Sequence, residues 1–169
     1  MFTAEKEIRG GLAQINLVEH FVENIVREFN LYSTLQGSLT IATLEAFKCA
    51  VLRGNNADTN KVVKLKCTAN ADEVVISVFD ESHQCDYAAA FAQADLHAED
   101  SGLYLIKTLS DGVEMADEGA GFIMTFHAPV LENNHRLSNE RMRVLNRVMN
   151  GKEQQQTATQ HANVVSEVE

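Results

Sequence analysis

The sequence predicts an α+β fold: a two-layer sandwich with helices on one face of a mixed, mostly antiparallel sheet. Three observations predict it. Two helical patterns come early, before residue 55. The later strand patterns read as local hairpins. Helices and strands do not alternate strictly, as a doubly wound parallel sheet would require.

The elements follow in order. Phe2 to Ile8 reads as a short strand, with Phe2, Ala4 and Lys6 alternating against Thr3 and Glu5, and Gly10-Gly11 ends it. Leu12, Ile15, Val18, Val22, Ile25, Val26 and Phe29 then recur at helical spacing, which predicts a helix over residues 12–29. Residues 30–37 read as a connection, and Ser38 as the N-cap of a second helix over 38–53. That helix is expected to be amphipathic, burying Leu39, Ala42, Ala46, Phe47, Ala50 and Val51, with Gly54-Asn55-Asn56 as its stop. Lys61–Thr68 and Glu73–Asp80 are strand patterns joined by Ala69-Asn70-Ala71-Asp72, an antiparallel hairpin. In the first of them lysines alternate with Val63, Leu65 and Cys67, giving one wet and one dry face.

Residues 86–98 are rich in alanine and read as a short helix or a lid. Residues 101–109 read as a helix carrying Leu103, Leu105, Ile106 and Leu109, and residues 111–115 and 121–126 as a second hairpin. Pro129 is expected to close a first domain spanning 1–129. A basic amphipathic helix follows within 130–150, with Met142, Leu145, Val148 and Met149 on one side. Residues 151–169 are polar and poor in aromatics, the composition of a disordered tail.

Composition narrows the function classes. Hydrophobic residues make up 45% of the 169 residues, enough for a real core. There is no apolar run of membrane-spanning length, which is about 18 residues, and the N-terminus carries no apolar signal core, so the cytosol is the expected compartment. The three cysteines, Cys49, Cys67 and Cys85, are odd in number and widely spaced, a pattern of reduced thiols rather than a zinc site. The net charge of −10 argues against nucleic-acid binding. Charge is also uneven: between Asp72 and Glu118 the only lysine or arginine is Lys107, whereas Arg136, Arg141, Arg143, Arg147 and Lys152 make the next stretch basic. A solvated surface is one reading of the acidic region and a protein-docking face is the other.

Three segments carry chemistry. Glu45 precedes Cys49 by four residues, so the two share one helical face within Glu45-Ala46-Phe47-Lys48-Cys49-Ala50-Val51-Leu52-Arg53-Gly54-Asn55. Asp80 ends a strand and opens Asp80-Glu81-Ser82-His83-Gln84. Glu99-Asp100-Ser101-Gly102-Leu103 opens a helix. Taken alone, Asp80 is a turn-forming acid, Asp100 a helix cap and Lys48 an exposed helix lysine.

Together, in this order and over residues 8–127, the segments resemble the nucleotide-binding boxes of the histidine kinase-like (GHKL) ATPases, in particular the anti-sigma-factor serine kinases. The resemblance implies that Glu45 is the general base, that Asp80 receives the adenine amino group, and that Gly102 and Leu103 start the helix that holds the phosphates. It also implies departures from the family pattern. Cys49 stands where the family has its magnesium-binding Asn, and Arg53 where it has His. Ser82 and Gln84 replace the two glycines of the second box, and Asp100 the first glycine of the third. A thiol is a poor ligand for a hard cation, and Asp100 competes with phosphate for the same helix amides.

The resemblance therefore implies an anti-sigma-like regulatory protein that binds a sigma factor or a STAS-domain antagonist. Its nucleotide site would be eroded, its Glu45 inactive, and it would have no metal and no cofactor. The alternative is an active serine kinase that phosphorylates the antagonist with ATP and magnesium. A third reading is a structural domain that forms a homodimer through its C-terminal helix. Neither nucleic acid nor a membrane is expected as a partner.

Overall fold

The computed structural model describes residues 2–29, 31, 33–70, 72–93, 101–116, 120–127 and 143–151. By internal contacts the chain divides into two compact units, Met1–His135 and Arg136–Glu169.

The first unit is the predicted α+β sandwich. It contains β1 (Phe2–Arg9), α1 (Ile15–Phe29), α2 (Ser33–Cys49), β2 (Val62–Ala69), β3 (Glu73–Asp80), α3 (Tyr87–Gln93), α4 (Gly102–Leu109), β4 (Gly112–Met115) and β5 (Gly121–His127). The sheet runs β1-β2-β3-β5-β4. Every ladder among the described residues is antiparallel, so the parallel part of the expected mixed sheet is not found there.

Register explains the layers. Lys6, Leu65, Val78 and Phe122 oppose one another across four strands, and Ala4, Cys67, Ile76 and Met124 form the next row. Side chains two apart point to the same face, so Leu65, Cys67, Ile76, Val78, Phe122 and Met124 build one buried wall. The opposite face carries the charged rungs: Glu5 bridges Lys64 at 3.1 Å and Lys66 at 3.3 Å. Hydrogen bonds from these two lysines hold the Glu5 carboxyl below its ordinary range.

The helices depart from expectation in three places. Residues 11–14 form a 3-10 turn ahead of α1, and Leu12 is 40% exposed, outside the packed stripe. Phe21, which the spacing argument left out, is buried with Val18, Val22 and Ile25. α2 begins at Ser33, so Gly37 is helical and Ser38 is an interior residue rather than an N-cap. Tertiary packing overrides the local signal here: α2 packs against both α1 and α4.

For the same reason α2 is not amphipathic. Leu39, Ile41, Ala42, Thr43, Leu44, Ala46 and Phe47 are all buried, and beyond Thr40 only Glu45 and Lys48 are partly open. The helix then widens into a π turn over Ala50–Gly54, closed by the Asn55 N–H donating to Ala50 O at 2.7 Å. The chain leaves through Asn56 and Ala57, both left-handed, at φ 52 and 58°. The stop thus uses Asn and Ala where a glycine is commoner.

The two predicted hairpins are present. Asn70 Oδ1 accepts the N–H groups of Asp72 and Glu73 at 2.8 and 3.0 Å, which fixes the β2–β3 turn. In the second unit residues 143–151 form a helix, α5. Met149, one of the predicted apolar stripe, is 50% exposed. Gly151, the first residue of the predicted disordered tail, is the last described residue of this helix; Pro129, the start of the predicted basic helix and the rest of that tail lie outside the described residues. No described helix is long and apolar enough to cross a membrane.

Candidate functional site

α2 and its π turn run between two clusters that contain the residues singled out from sequence. At the first, Asp80 ends β3 and is 3% exposed. Its carboxylate is engaged on both oxygens. Oδ1 accepts the backbone N–H groups of Ser82 and His83, each at 2.9 Å, and Oδ2 accepts the Tyr87 hydroxyl at 2.7 Å. The Asx turn this makes is the local role that the sequence allowed for Asp80. His83 adopts φ 54° to complete it.

Tyr87 opens α3 and is buried. Burial, and then the bond to Asp80, push its phenol well above the ordinary tyrosine range, so it remains a donor. Its ring lies 5.2 Å from that of Phe122, which in turn lies 5.1 Å from Phe91. Gly54 completes the contact. A Cβ there would overlap the Tyr87 hydroxyl and would lie 2.6 Å from Asp80 Cβ, so only glycine admits this approach. An open cavity of about 330 Å³ adjoins the cluster, lined by His83, Gln84, Cys85, Asp86, Tyr87, Ala88, Met115 and Gly121.

Asn55 ties the cluster to the sheet. Its Nδ2 donates to Val62 O at 2.9 Å, and its Oδ1 accepts from Glu81 N, Ser82 N and Ser82 Oγ at 3.0–3.2 Å. Lys61 Nζ donates to Ser82 Oγ at 2.6 Å. Ser82, which stands at a glycine position of the family pattern, is thereby held by Asn55 and Lys61. Gln84, at the other glycine position, is exposed.

The second cluster joins α2 to the start of α4. Glu45 is 19% exposed, and its Oε1 accepts from Lys48 Nζ at 2.6 Å. A Cβ on Gly102 would lie 2.8 Å from Glu45 Oε2. The carboxylate therefore stands beside the first turn of α4, whose Ser101 makes no side-chain capping bond. A negative charge there is favourable to the helix amides and dipole. Leu103 is buried and packs as a core residue. Asp100 and Glu99 lie outside the described residues.

Cys49 sits between the clusters on the face of α2 that carries Glu45. It is 6% exposed, and burial pushes its thiol up to about 12. Cys85, half-buried at the cavity, is raised by desolvation and by Asp80. The structure thus brings Glu45 to Gly102, and Asp80 to Gly54. Sequence reasoning missed Tyr87, Phe122 and the role of Asn55. The signal for Tyr87 was available, because Tyr87 and Phe91 are the two aromatics of an alanine-rich stretch and are spaced to share one helical face.

The chain matches the model of the histidine kinase-like ATPase domain over residues 8–126. Among curated proteins none matches it. The matched span covers more than half of the 169 residues and runs from the end of β1 to β5, through both clusters; the chain belongs to the histidine kinase-like ATPase domain family.

Proposed function

We propose that this chain is an anti-sigma-like regulatory protein that holds a protein partner, a sigma factor or a STAS-domain antagonist, without using ATP. The observation that carries this reading is Cys49. At the position that corresponds to the family's magnesium-binding Asn stands a buried thiol, raised to about 12 and so neutral at physiological pH. A hard cation takes oxygen ligands, and a thiol binds metals as the thiolate. Two further features support the reading. Asp80 has internal donors on both carboxylate oxygens. Glu45 already has a partner, since its Oε1 accepts from Lys48 Nζ at 2.6 Å. Magnesium-ATP therefore does not fit these residues. The acidic composition of the stretch from Asp72 to Glu118 suits a partner with a basic docking face.

The test is to mix the purified chain with the sigma factors and STAS-domain proteins of its own genome and follow complexes by size-exclusion chromatography. The reading predicts a complex that forms equally with and without magnesium-ATP. A complex that requires ATP, or a STAS partner that becomes phosphorylated on serine, would overturn it.

One observation favours the second reading, a working serine kinase. Glu45 stands beside Gly102 at the start of α4, where a general base and a phosphate-holding helix end would meet. That reading predicts phosphoryl transfer to a STAS serine that is abolished by Glu45→Gln.

A further inference from the structure

We infer that Tyr87 is an intramolecular ligand of the pocket, a plug whose phenol takes the hydrogen-bond seat on Asp80 that a flat, amine-bearing heterocycle would otherwise take. The inference rests on the reading above that the chain does not use ATP, and names the side chain that fills the seat on Asp80.

Four features of the structure define the plug. Asp80 Oδ2 accepts the Tyr87 hydroxyl at 2.7 Å, whereas Oδ1 serves the loop amides of Ser82 and His83. The turn is thus held by one oxygen and the plug by the other. The phenol ring is planar and lies against Phe122, which itself meets Phe91, so the space is built for an aromatic system. Gly54 leaves room for the hydroxyl directly against the α2 π turn. The open cavity is bounded on one side by Tyr87 itself, so removing that side chain joins its space to a volume already accessible from solvent.

The chemistry of the vacated seat is definite. A buried carboxylate oxygen that has lost its donor is a costly unpaired acceptor. The neighbouring wall is aromatic and favours a stacked or edge-on ring. A ligand that supplies both a ring and an exocyclic N–H donor satisfies the site, and one that presents a carbonyl at the same position is repelled. Adenosine and inosine differ in this way.

The experiment measures binding of adenosine and inosine to the full chain by calorimetry, for the native protein and for Tyr87→Ala. The native protein is expected to give no saturable heat. Tyr87→Ala is expected to bind adenosine at least roughly tenfold more tightly than inosine, about what one satisfied buried hydrogen bond provides. Adding Asp80→Asn to Tyr87→Ala is expected to abolish that preference. If Tyr87→Ala does not fold, Tyr87→Phe carries the test, since it removes only the hydroxyl and leaves a ring that can swing aside. The same preference for adenosine is then expected, together with faster amide exchange at Ala90, whose N–H closes the first turn of α3 on Asp86.

A folded variant that binds neither nucleoside, or both equally, overturns the plug and leaves the ATP-independent reading standing. A native protein that binds adenosine as tightly as the variant overturns both.

Discussion

The two ends of the site are built differently. At the Asp80 end, hydrogen bonds converge from three elements: the π turn through Asn55, the β3–α3 loop through Ser82 and His83, and α3 through Tyr87. Asp80 and Tyr87 are buried. At the Glu45 end, among the described residues, an ion pair to a lysine that is 40% exposed faces one helix start. The difference teaches which part of the inherited scaffold has become structure. The Asp80 end is bonded from several elements, whereas the described partners of Glu45 are Lys48 and the start of α4.

Replacing the same residue type at the two ends separates them most sharply. Gly54→Ala puts a Cβ into the Tyr87 hydroxyl and the Asp80 side chain, which are fixed by burial. We expect a loss of about 3 kcal/mol, at the upper end for overpacking, read as a fall in the denaturation midpoint. Among the described residues, the one close approach of Gly102→Ala is to the far end of the Glu45 side chain, and alanine is the better helix former, so its cost should stay under about 1 kcal/mol. Equal costs at the two positions would erase the comparison.

Asn55→Ala comes next. It removes the side-chain partner of Val62 O and Glu81 N and leaves Ser82 N to Asp80 Oδ1, and we expect a loss of about 2 kcal/mol by chemical denaturation. A loss near zero would show that water replaces the side chain and that the Asp80 end is not held from α2.

Alkaline pH tests the burial of Cys49. In the folded chain its thiol titrates at about 12, and in the unfolded chain near 9. Above pH 9 the unfolded state releases a proton that the folded state keeps, so the unfolded state binds fewer protons and stability falls as pH rises. The contribution is fully present below pH 9 and is lost between about 9 and 12, at about 1.4 kcal/mol per pH unit. Cys67, raised to the same level by burial, adds a parallel loss. Cys49→Ala should therefore flatten the dependence of stability on pH over this range relative to the native chain, and an unchanged slope would mean that the thiol is open to water.

The smallest effect belongs to Lys48. An exposed ion pair is worth about 0.2–1 kcal/mol, so Lys48→Met should shift stability by no more than that. A larger loss would show that the Glu45 end is as tightly built as the Asp80 end.

Much of the fold was legible because its signals are local. The lysine alternation in β2 and the apolar spacing in α1 each report a face directly. The ends of α2 were not, because Gly37 and Ser38 look like a boundary and become helical only through packing on α1 and α4. The order of the acids and glycines singled out Glu45, Asp80 and Gly102 as candidates. It did not locate the Tyr87 hydroxyl, because that partner comes from a helix seven residues further on and its meeting with Gly54 depends on the π turn. The resemblance marks Ser82 only as a replaced glycine, and its bonds to Asn55 and Lys61 show it serving the loop.

The most direct test of the account is a calorimetric titration of the native full chain with magnesium-ATP at millimolar nucleotide. The account predicts no saturable heat, because Asp80 is occupied by Tyr87 and Cys49 supplies no ligand for the metal. Saturable binding with micromolar affinity would contradict it.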